Sequence, residues 1–312
     1  MSAYFSGARE ARRFTEFDYA PTPPGFNEFV PNKEASRAVA EALGLRVPAC
    51  LGRFGSVADI DLAGMPGRFV LKATNLSSKQ GVYLLTVVGP DAFSDRFTRR
   101  TFSTAEIQQH LAGKLAKRKG SENAPILAEE WVVGENGADQ VPFDYKMYTF
   151  DGTVEFVLQT NRNLKPTGLA FFGHGFEPLE EHCVVKVRDN VQRMAPVRPA
   201  NWQHMLDAAS SVSRHLDTPF ISVDTYTTGS DVVIGELTPR PGGPYHGMWQ
   251  FSDVFDGELG TYYKQAYRRR GLSIPIVTGL PPVLTKRDEE EGKVRRFARA
   301  AWAALRSPAS RR

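Results

Sequence analysis

Residues 221 to 243, ISVDTYTTGSDVVIGELTPRPGG, constrain this chain more than any other stretch. Two runs rich in β-branched residues, Ile221 to Thr227 and Val232 to Thr238, flank the turn-prone Thr228-Gly229-Ser230-Asp231 and predict a pair of antiparallel strands. With an odd-length loop centred on Ser230, Asp224 falls directly opposite Glu236, their Cβ atoms about 5 Å apart. Ser222, Tyr226 and Thr238 share that face, and Val223, Val233 and Leu237 take the other. Two like charges held so close repel, so either one carboxyl is protonated or a cation lies between them. Hard oxygen ligands suit magnesium, which keeps some waters and shares its shell with substrate phosphates. The plain alternative is an acidic hairpin whose side chains face water.

The rest of the chain narrows the class. At 312 residues and 41% hydrophobic content there is enough apolar material for one large or two modest domains. The start, MSAYFSGAREARRF, has no apolar run after its first charges, and no stretch of 18 apolar residues occurs, so the expectation is a cytoplasmic protein. Cys50 and Cys183 are the only thiols and form no C-x-x-C, which argues against a disulfide framework or a structural zinc and for two buried reduced cysteines. The formal charge is +4, but residues 286–312 hold nine Lys/Arg against four Asp/Glu, leaving the remainder at −1. That basicity belongs to a tail and does not predict a nucleic-acid-binding fold.

In chain order, residues 1–30 carry the Pro-rich APTPPGF and read as an extended arm with a short helix at most. Asn32 offers an N-cap to a helix through about Leu43, with Ala38, Val39, Ala42 and Leu43 on its buried side. Lys33 sits in the first turn, where a cation opposes the helix dipole and hints at a reason other than stability. Arg68 to Lys72 and VYLLTVV are strands around a loop of small residues that can turn backbone N–H groups onto a phosphate, although it is neither G-x-x-x-x-G-K-[ST] nor G-x-G-x-x-G. Phe102 to Leu115 is helical, and the buried run Ile126-Leu127-Ala128 meets Glu129-Glu130-Trp131-Val132. Asp144 to Phe150 and Thr153 to Leu158 alternate around Asp151-Gly152, a hairpin signal. Residues 159–200 are irregular, and Trp202 to Leu216 is a helix with an apolar stripe. At the end, Lys293 to Arg306 places an apolar face against arginines, either packed on the core or meeting anionic lipid or polymer.

Together these pieces resemble an ATP-grasp enzyme of the TupA-like, teichuronopeptide-biosynthesis type. The resemblance rests on order: Asn32-Lys33, the strand FVLK, a small-residue loop, Glu-Glu-Trp-Val, DYKMYTFDG and finally VDTYTTGSDVVIGELTPRPGG, over roughly residues 30 to 250. It implies an α+β, ATP-grasp fold in which two α+β subdomains grip ATP, divided as an arm 1–30, an N-terminal and lid part 31–132, a metal- and substrate-binding part 133–285 and a basic C-terminal helix 286–312. It further implies that Lys33 and Lys72 hold the α- and β-phosphates. Ser77, Ser78 and Gly81 form the lid over the β- and γ-phosphates. Glu129, Glu130 and Val132 lie in a hinge that pairs with adenine, an acidic side chain being available for its amino group. Glu135 and Asp144 are both candidates for the ribose. Asp224 and Glu236 hold magnesium.

The chain departs from the family pattern in three ways. Thr238 stands where the third metal ligand is usually Asn, Ser222 stands where an arginine often lies, and the usual substrate-binding domain ahead of the ATP domain is missing. The missing positive charge is expected from Lys146, Arg162 or Arg240, facing the γ-phosphate and the acyl phosphate. The reaction implied joins a carboxylate and an amine, an amino acid among them, at the expense of ATP with Mg2+, in biosynthesis of a cell-envelope polymer or specialised metabolite. Two rivals remain: a kinase that phosphorylates a hydroxyl at the same ATP site, and a non-catalytic protein that binds polyanions or membrane surfaces through its tail.

Overall fold

The computed structural model describes residues 8–21, 33–76, 81–117, 124–242 and 248–278, without the side chain of Lys186. The described part of the N-terminal arm, residues 8–21, packs into the core. Strand β1 (Arg9–Glu10) pairs antiparallel with β16 (Ile276–Val277), and a 3-10 helix, Phe14–Tyr19, follows. Ala11, Phe14, Phe17 and Ala20 are 0–5% exposed and recur every third residue, the spacing that lines up side chains along a 3-10 turn. They pack on α4 (Asp253–Arg269), with Phe17 stacked on Tyr263 at 4.0 Å between centroids. Thr15 donates from both its N–H and Oγ1 to the buried Asp256 carboxylate at 3.0 and 2.5 Å.

Helix α1 is Lys33–Ala42, ending within one residue of the expected Leu43, but its buried face is Lys33, Ser36 and Ala40. Ala38 and Ala42, expected inside, are exposed, while Val39 and Leu43 are half-buried beside the core. The face is rotated because Ser36 Oγ accepts from Leu237 N–H at 3.2 Å, which docks the helix on the late hairpin. Asn32 lies outside the described residues.

The first large sheet has strand order β2-β7-β3-β4-β5-β6: β2 (Cys50–Phe54), β3 (Arg68–Ala73), β4 (Val82–Gly89), β5 (Ala92–Asp95), β6 (Arg100–Phe102) and β7 (Ile126–Glu130). Its apolar face, with Phe69, Leu71 and Leu85, is covered by α2 (Thr104–Leu115) through Ile107, Leu111 and Leu115. Ser103 and Glu106 close the start of α2 as a reciprocal cap. Cys50 is exposed on the edge strand, contrary to expectation, and Cys183 is buried; both are free thiols.

The second large sheet has order β12-β10-β9-β8-β13-β14: β8 (Asp144–Phe150), β9 (Thr153–Asn161), β10 (Thr167–Phe172), β12 (Val191–Arg193), β13 (Phe220–Thr227) and β14 (Val232–Thr238). Residues 159–200 are therefore not a loop. They supply the end of β9, then β10, β12 and the short β11 (Val184–Val187), which pairs with β15 (Trp249–Phe251). One face of this sheet, carrying Met147, Val157, Val223 and Leu237, is covered by α1 and by α3 (Trp202–His215). The arm and α4 cover part of the other face. The expected unit 31–132 is thus divided, since α1 packs with the second sheet.

The basic segment 286–312 lies outside the described residues, so neither expectation for it is tested. Among the described residues no helix is long and apolar enough to cross a membrane.

Candidate active site

The late hairpin pairs Asp224 with Glu236, as expected, by a different route. Its turn is the four-residue Thr228–Asp231 stretch, closed by Thr228 N–H to Asp231 C=O at 3.1 Å, and the register is corrected by a β-bulge between Asp224 and Thr225. The extra residue is Gly235, where a Cβ would lie 2.8 Å from the Tyr226 ring. The bulge also exchanges two neighbours: Val233 pairs with Tyr226, and Ile234 takes the core place expected for Val233.

Pairing of three strands sets a row across the uncovered part of the sheet. Lys146 on β8 lies opposite Asp224 on β13, which lies opposite Glu236 on β14. The next row is Tyr148, Ser222 and Thr238. Lys146 Nζ is ion-paired with Asp224 Oδ1. Burial pushes the Asp224 carboxyl up to about 7, against the pull of Lys146 and reinforced by the neighbouring Asp144 and Glu236. A carboxylate raised in this way is short of positive charge. Asp144, at the start of β8, accepts from Arg162 Nη2 at 2.7 Å through Oδ2, and its buried Oδ1 has no partner among the described residues.

Lys33 joins this row to the first sheet. Its Nζ donates to the Leu76 carbonyl at 2.7 Å and lies 3.7 Å from Glu236 Oε1, while burial and then Lys72 draw its ammonium pKa down against Glu236. Lys72, on β3, contacts Glu129 Oε2 at 2.5 Å, and Arg37 from α1 contacts Glu129 Oε1 at 2.7 Å. Glu130 points elsewhere, to Arg46 at 2.6 Å and Ala49 N–H at 3.0 Å. Both hinge carboxylates are therefore engaged, and neither side chain is free for a nucleobase amine as expected from sequence.

These groups line one cavity of about 1270 Å3 between the two large sheets. At one end stand Val70, Lys72, Leu84, Glu129, Glu130, Trp131 and Val132; in the middle Lys33, Asp144, Lys146, Arg162, Asp224, Glu236 and Thr238; at the far end Tyr148, Trp249, Arg240, Asp18 and Tyr19. Four of the expected residues are not in this grouping: Glu135 is exposed and accepts from Ala200 N–H at 3.1 Å away from the cavity wall, which leaves Asp144 as the carboxylate present there. Gly81 is a buried turn residue against Leu76 and Leu111 and does not line the cavity, and Ser77 and Ser78 lie outside the described residues.

Sequence reasoning missed Asp18 and Tyr19, which the arm delivers to the far end. The signal is present in the three-residue spacing of Ala11, Phe14, Phe17 and Ala20, interrupted by the charged residues Arg12, Arg13, Glu16 and Asp18.

The donor set fits magnesium only in company. Among the described residues there is no group of three or more His, Cys, Asp or Glu side chains placed to hold a metal ion. Two facing carboxylates beside a threonine hydroxyl are the partial set expected of an ion that completes its shell with water and phosphate oxygens.

A family model described as TupA-like ATPgrasp matches residues 23–264. Among solved structures, the chain is similar to the ATP-grasp ligase PsnB complexed with a minimal precursor, at 11% identity and a TM-score of 0.43, covering 78% of this chain and 62% of that one. It is similar to D-alanine–D-alanine ligase from Bacillus anthracis at 14% identity and a TM-score of 0.47, covering 78% and 69%. An L-amino acid ligase from Bacillus licheniformis matches at 17% identity and a TM-score of 0.37, covering 69% and 42%. The search of curated proteins found no match.

Proposed function

The chain belongs to the TupA-like ATP-grasp family, and from that premise we propose that it is an ATP- and magnesium-dependent ligase joining a carboxylate to an amine. The observation that supports this reading most is the convergence of Lys33 from α1 and of Lys72, Lys146, Asp224 and Glu236 from both large sheets on one cavity. The nucleobase enters at the Val70, Trp131 and Val132 end, pairing with backbone groups, and Asp144 takes the ribose. Lys33 and Lys72 carry the α- and β-phosphates as flexible point charges. Asp224, Glu236 and Thr238 hold magnesium, which when bound offsets the charge gathering on the γ-phosphoryl oxygens.

Lys146 and Arg162 face the γ-phosphate and Arg240 the acyl phosphate. The substrate carboxylate attacks the γ-phosphorus, ADP leaves, and an amine, an amino acid among the candidates, displaces phosphate from the acyl phosphate. The chain supplies orientation and fixed charge, and no protein nucleophile is required. The proposal includes a cytoplasmic location, where ATP is supplied, and a part in assembly of an envelope polymer or a specialised metabolite.

The test is a screen of the common amino acids in pairs for stimulated ADP release, repeated with Asp224→Ala and Glu236→Ala. Each substitution is expected to lower magnesium-dependent turnover by about 1000-fold, the loss of roughly 4 kcal/mol of transition-state stabilisation. Retained turnover in both variants would defeat the reading. Phosphate left on an acceptor hydroxyl, rather than released, would identify a kinase instead.

A further inference from the structure

We propose that Asp18, on the 3-10 turn of the N-terminal arm, binds the ammonium form of the attacking amine and takes its proton as the amide bond forms. The inference rests on the ligase reading above and adds a residue and a substrate class to it: a primary amine that arrives as a cation, not a hydroxyl, thiol or neutral nucleophile.

Three observations carry it. The arm is fixed, because Phe14 and Phe17 lie in the core, Thr15 is bonded twice to Asp256, and the backbone of Arg12 to Phe14 lies against Gly260 so closely that a Cβ there would stand 2.3 Å from Arg12 O. Asp18 therefore has one place. That place is the cavity wall, where Asp18 Oδ1 accepts from Gly242 N–H at 2.7 Å and Asp18 C=O accepts from Arg240 Nη1 at 3.3 Å.

The location separates Asp18 from the other acids. Six carboxylates line the cavity. Glu129 and Glu130 face Lys72, Arg37 and Arg46 at the nucleobase end; Asp144, Asp224 and Glu236 face Arg162, Lys146 and Lys33 in the middle. Asp18 stands beyond them, beside Arg240, Tyr19 and Trp249.

The far end also holds polar groups that await a ligand. Tyr148 Oη and Trp249 Nε1 are buried and have no hydrogen-bond partner among the described residues, although both residues line the cavity. The Tyr148 phenol is held well above its usual range by burial and then by Asp224 and Asp18, which puts one hydroxyl within electrostatic reach of both carboxylates. Along the strands the Tyr148, Ser222 and Thr238 row follows the Lys146, Asp224 and Glu236 row, and Arg240 and Gly242, both bonded to Asp18, come after Thr238, so Asp18 stands beyond the Tyr148 row from the metal-binding pair.

In the step proposed, the ammonium gives one proton to the Asp18 carboxylate, and the freed nitrogen lone pair forms the C–N bond at the acyl carbon. The C–O bond to phosphorus breaks, the departing phosphate keeps that electron pair, and the nitrogen's surplus proton leaves with it. The Asp18 proton then passes to solvent. General-base help of this kind is worth about 100- to 10,000-fold.

Hydroxylamine provides the test, because it is uncharged at neutral pH and traps an acyl phosphate as a hydroxamate without an ammonium-binding carboxylate. With Mg-ATP and the amino acids that support ADP release, wild type and Asp18→Asn are compared for hydroxamate formation and for turnover with the amine. Asn keeps an oxygen for Gly242 N–H. The expected result is hydroxamate formation within about threefold of wild type and amine turnover lower by about 100-fold or more, with Asp18→Glu recovering at least a tenth of the lost rate.

Equal loss of both products in Asp18→Asn, or loss of neither, would overturn the role of Asp18 while leaving the ligase reading intact. So would equal defects in Asp18→Asn and Asp18→Glu, since the charge would then be irrelevant. No hydroxamate from wild type with any acid would overturn the ligase reading itself, and this inference with it.

Discussion

Glu129→Gln is predicted to make the free protein less stable and its nucleotide tighter. Glu129 is 3% exposed and serves two cations at once, Lys72 at 2.5 Å and Arg37 at 2.7 Å, whose side chains are 13% and 11% exposed. At an effective dielectric near 20, each contact is worth about 6 kcal/mol of gross attraction. Most of that offsets the cost of taking the charges out of water, and removing one member of a buried pair costs about 3 to 5 kcal/mol net.

The lower figure applies here, because Arg37 keeps Glu41 and the Pro48 carbonyl. A loss of about 3 kcal/mol lowers Tm by roughly 6 °C in a chain of this size. With the competing carboxylate neutralised, the proposed role of Lys72 has it give its charge undivided to the phosphates. Mg-ADP should then stabilise the variant by about 1 kcal/mol more than wild type. Thermal unfolding with and without nucleotide reads both terms. A Tm change under about 1 °C, or a smaller nucleotide-induced shift than in wild type, would refute the argument that Glu129 stands in for phosphate.

Other outcomes follow from the arm. Gly260→Ala should force the Arg12 to Phe14 backbone off α4 at a cost of about 3 kcal/mol or more, seen as a lower Tm and faster proteolysis within residues 8–21, because the clash is with main chain that has no room to yield. Glu16 is fully buried; burial alone raises its carboxyl, but the two-pronged bond from Arg9 and the Arg12 N–H outweigh it and hold the group below the usual range. A depressed acid contributes stability above its unfolded value, near 4.5, and loses it as pH falls through the lower folded value, so wild type should lose stability on acidification below that point. Glu16→Gln should remove that component of the acid transition, and an unchanged pH profile would count against the pairing.

How much was legible depended on whether period and face agreed. The alternation in Ile221 to Thr227 and the Asp151-Gly152 turn fixed two hairpins, and the stripe of Met205, Ala209 and Val212 fixed α3. Asp224 was correctly set against Glu236, yet Val233 was put on the wrong face, because nothing in the pattern separates a bulge at Gly235 from an odd-length loop. Residues 159–200 hid three strands because prolines and glycines fall between short pairings that only neighbouring strands stabilise. The burial of the arm was not read from the sequence because an apolar spacing of three residues matches neither the helical nor the strand period, and Arg12, Arg13 and Glu16 fall between the aromatics. Asp18 followed from the arm and was lost with it.

The bulge in β14 has a consequence for how the hairpin can vary. Ile234 and Glu236 are two residues apart yet serve opposite sides of the sheet, one in the core and one beside Lys33. The correction happens downstream of Thr228 to Asp231, so the tip is insulated from the acidic pair. Different four-residue tips could be grafted there with the carboxylates unmoved, whereas a single insertion between Gly235 and Leu237 would turn Glu236 from the cavity into a misplaced core charge.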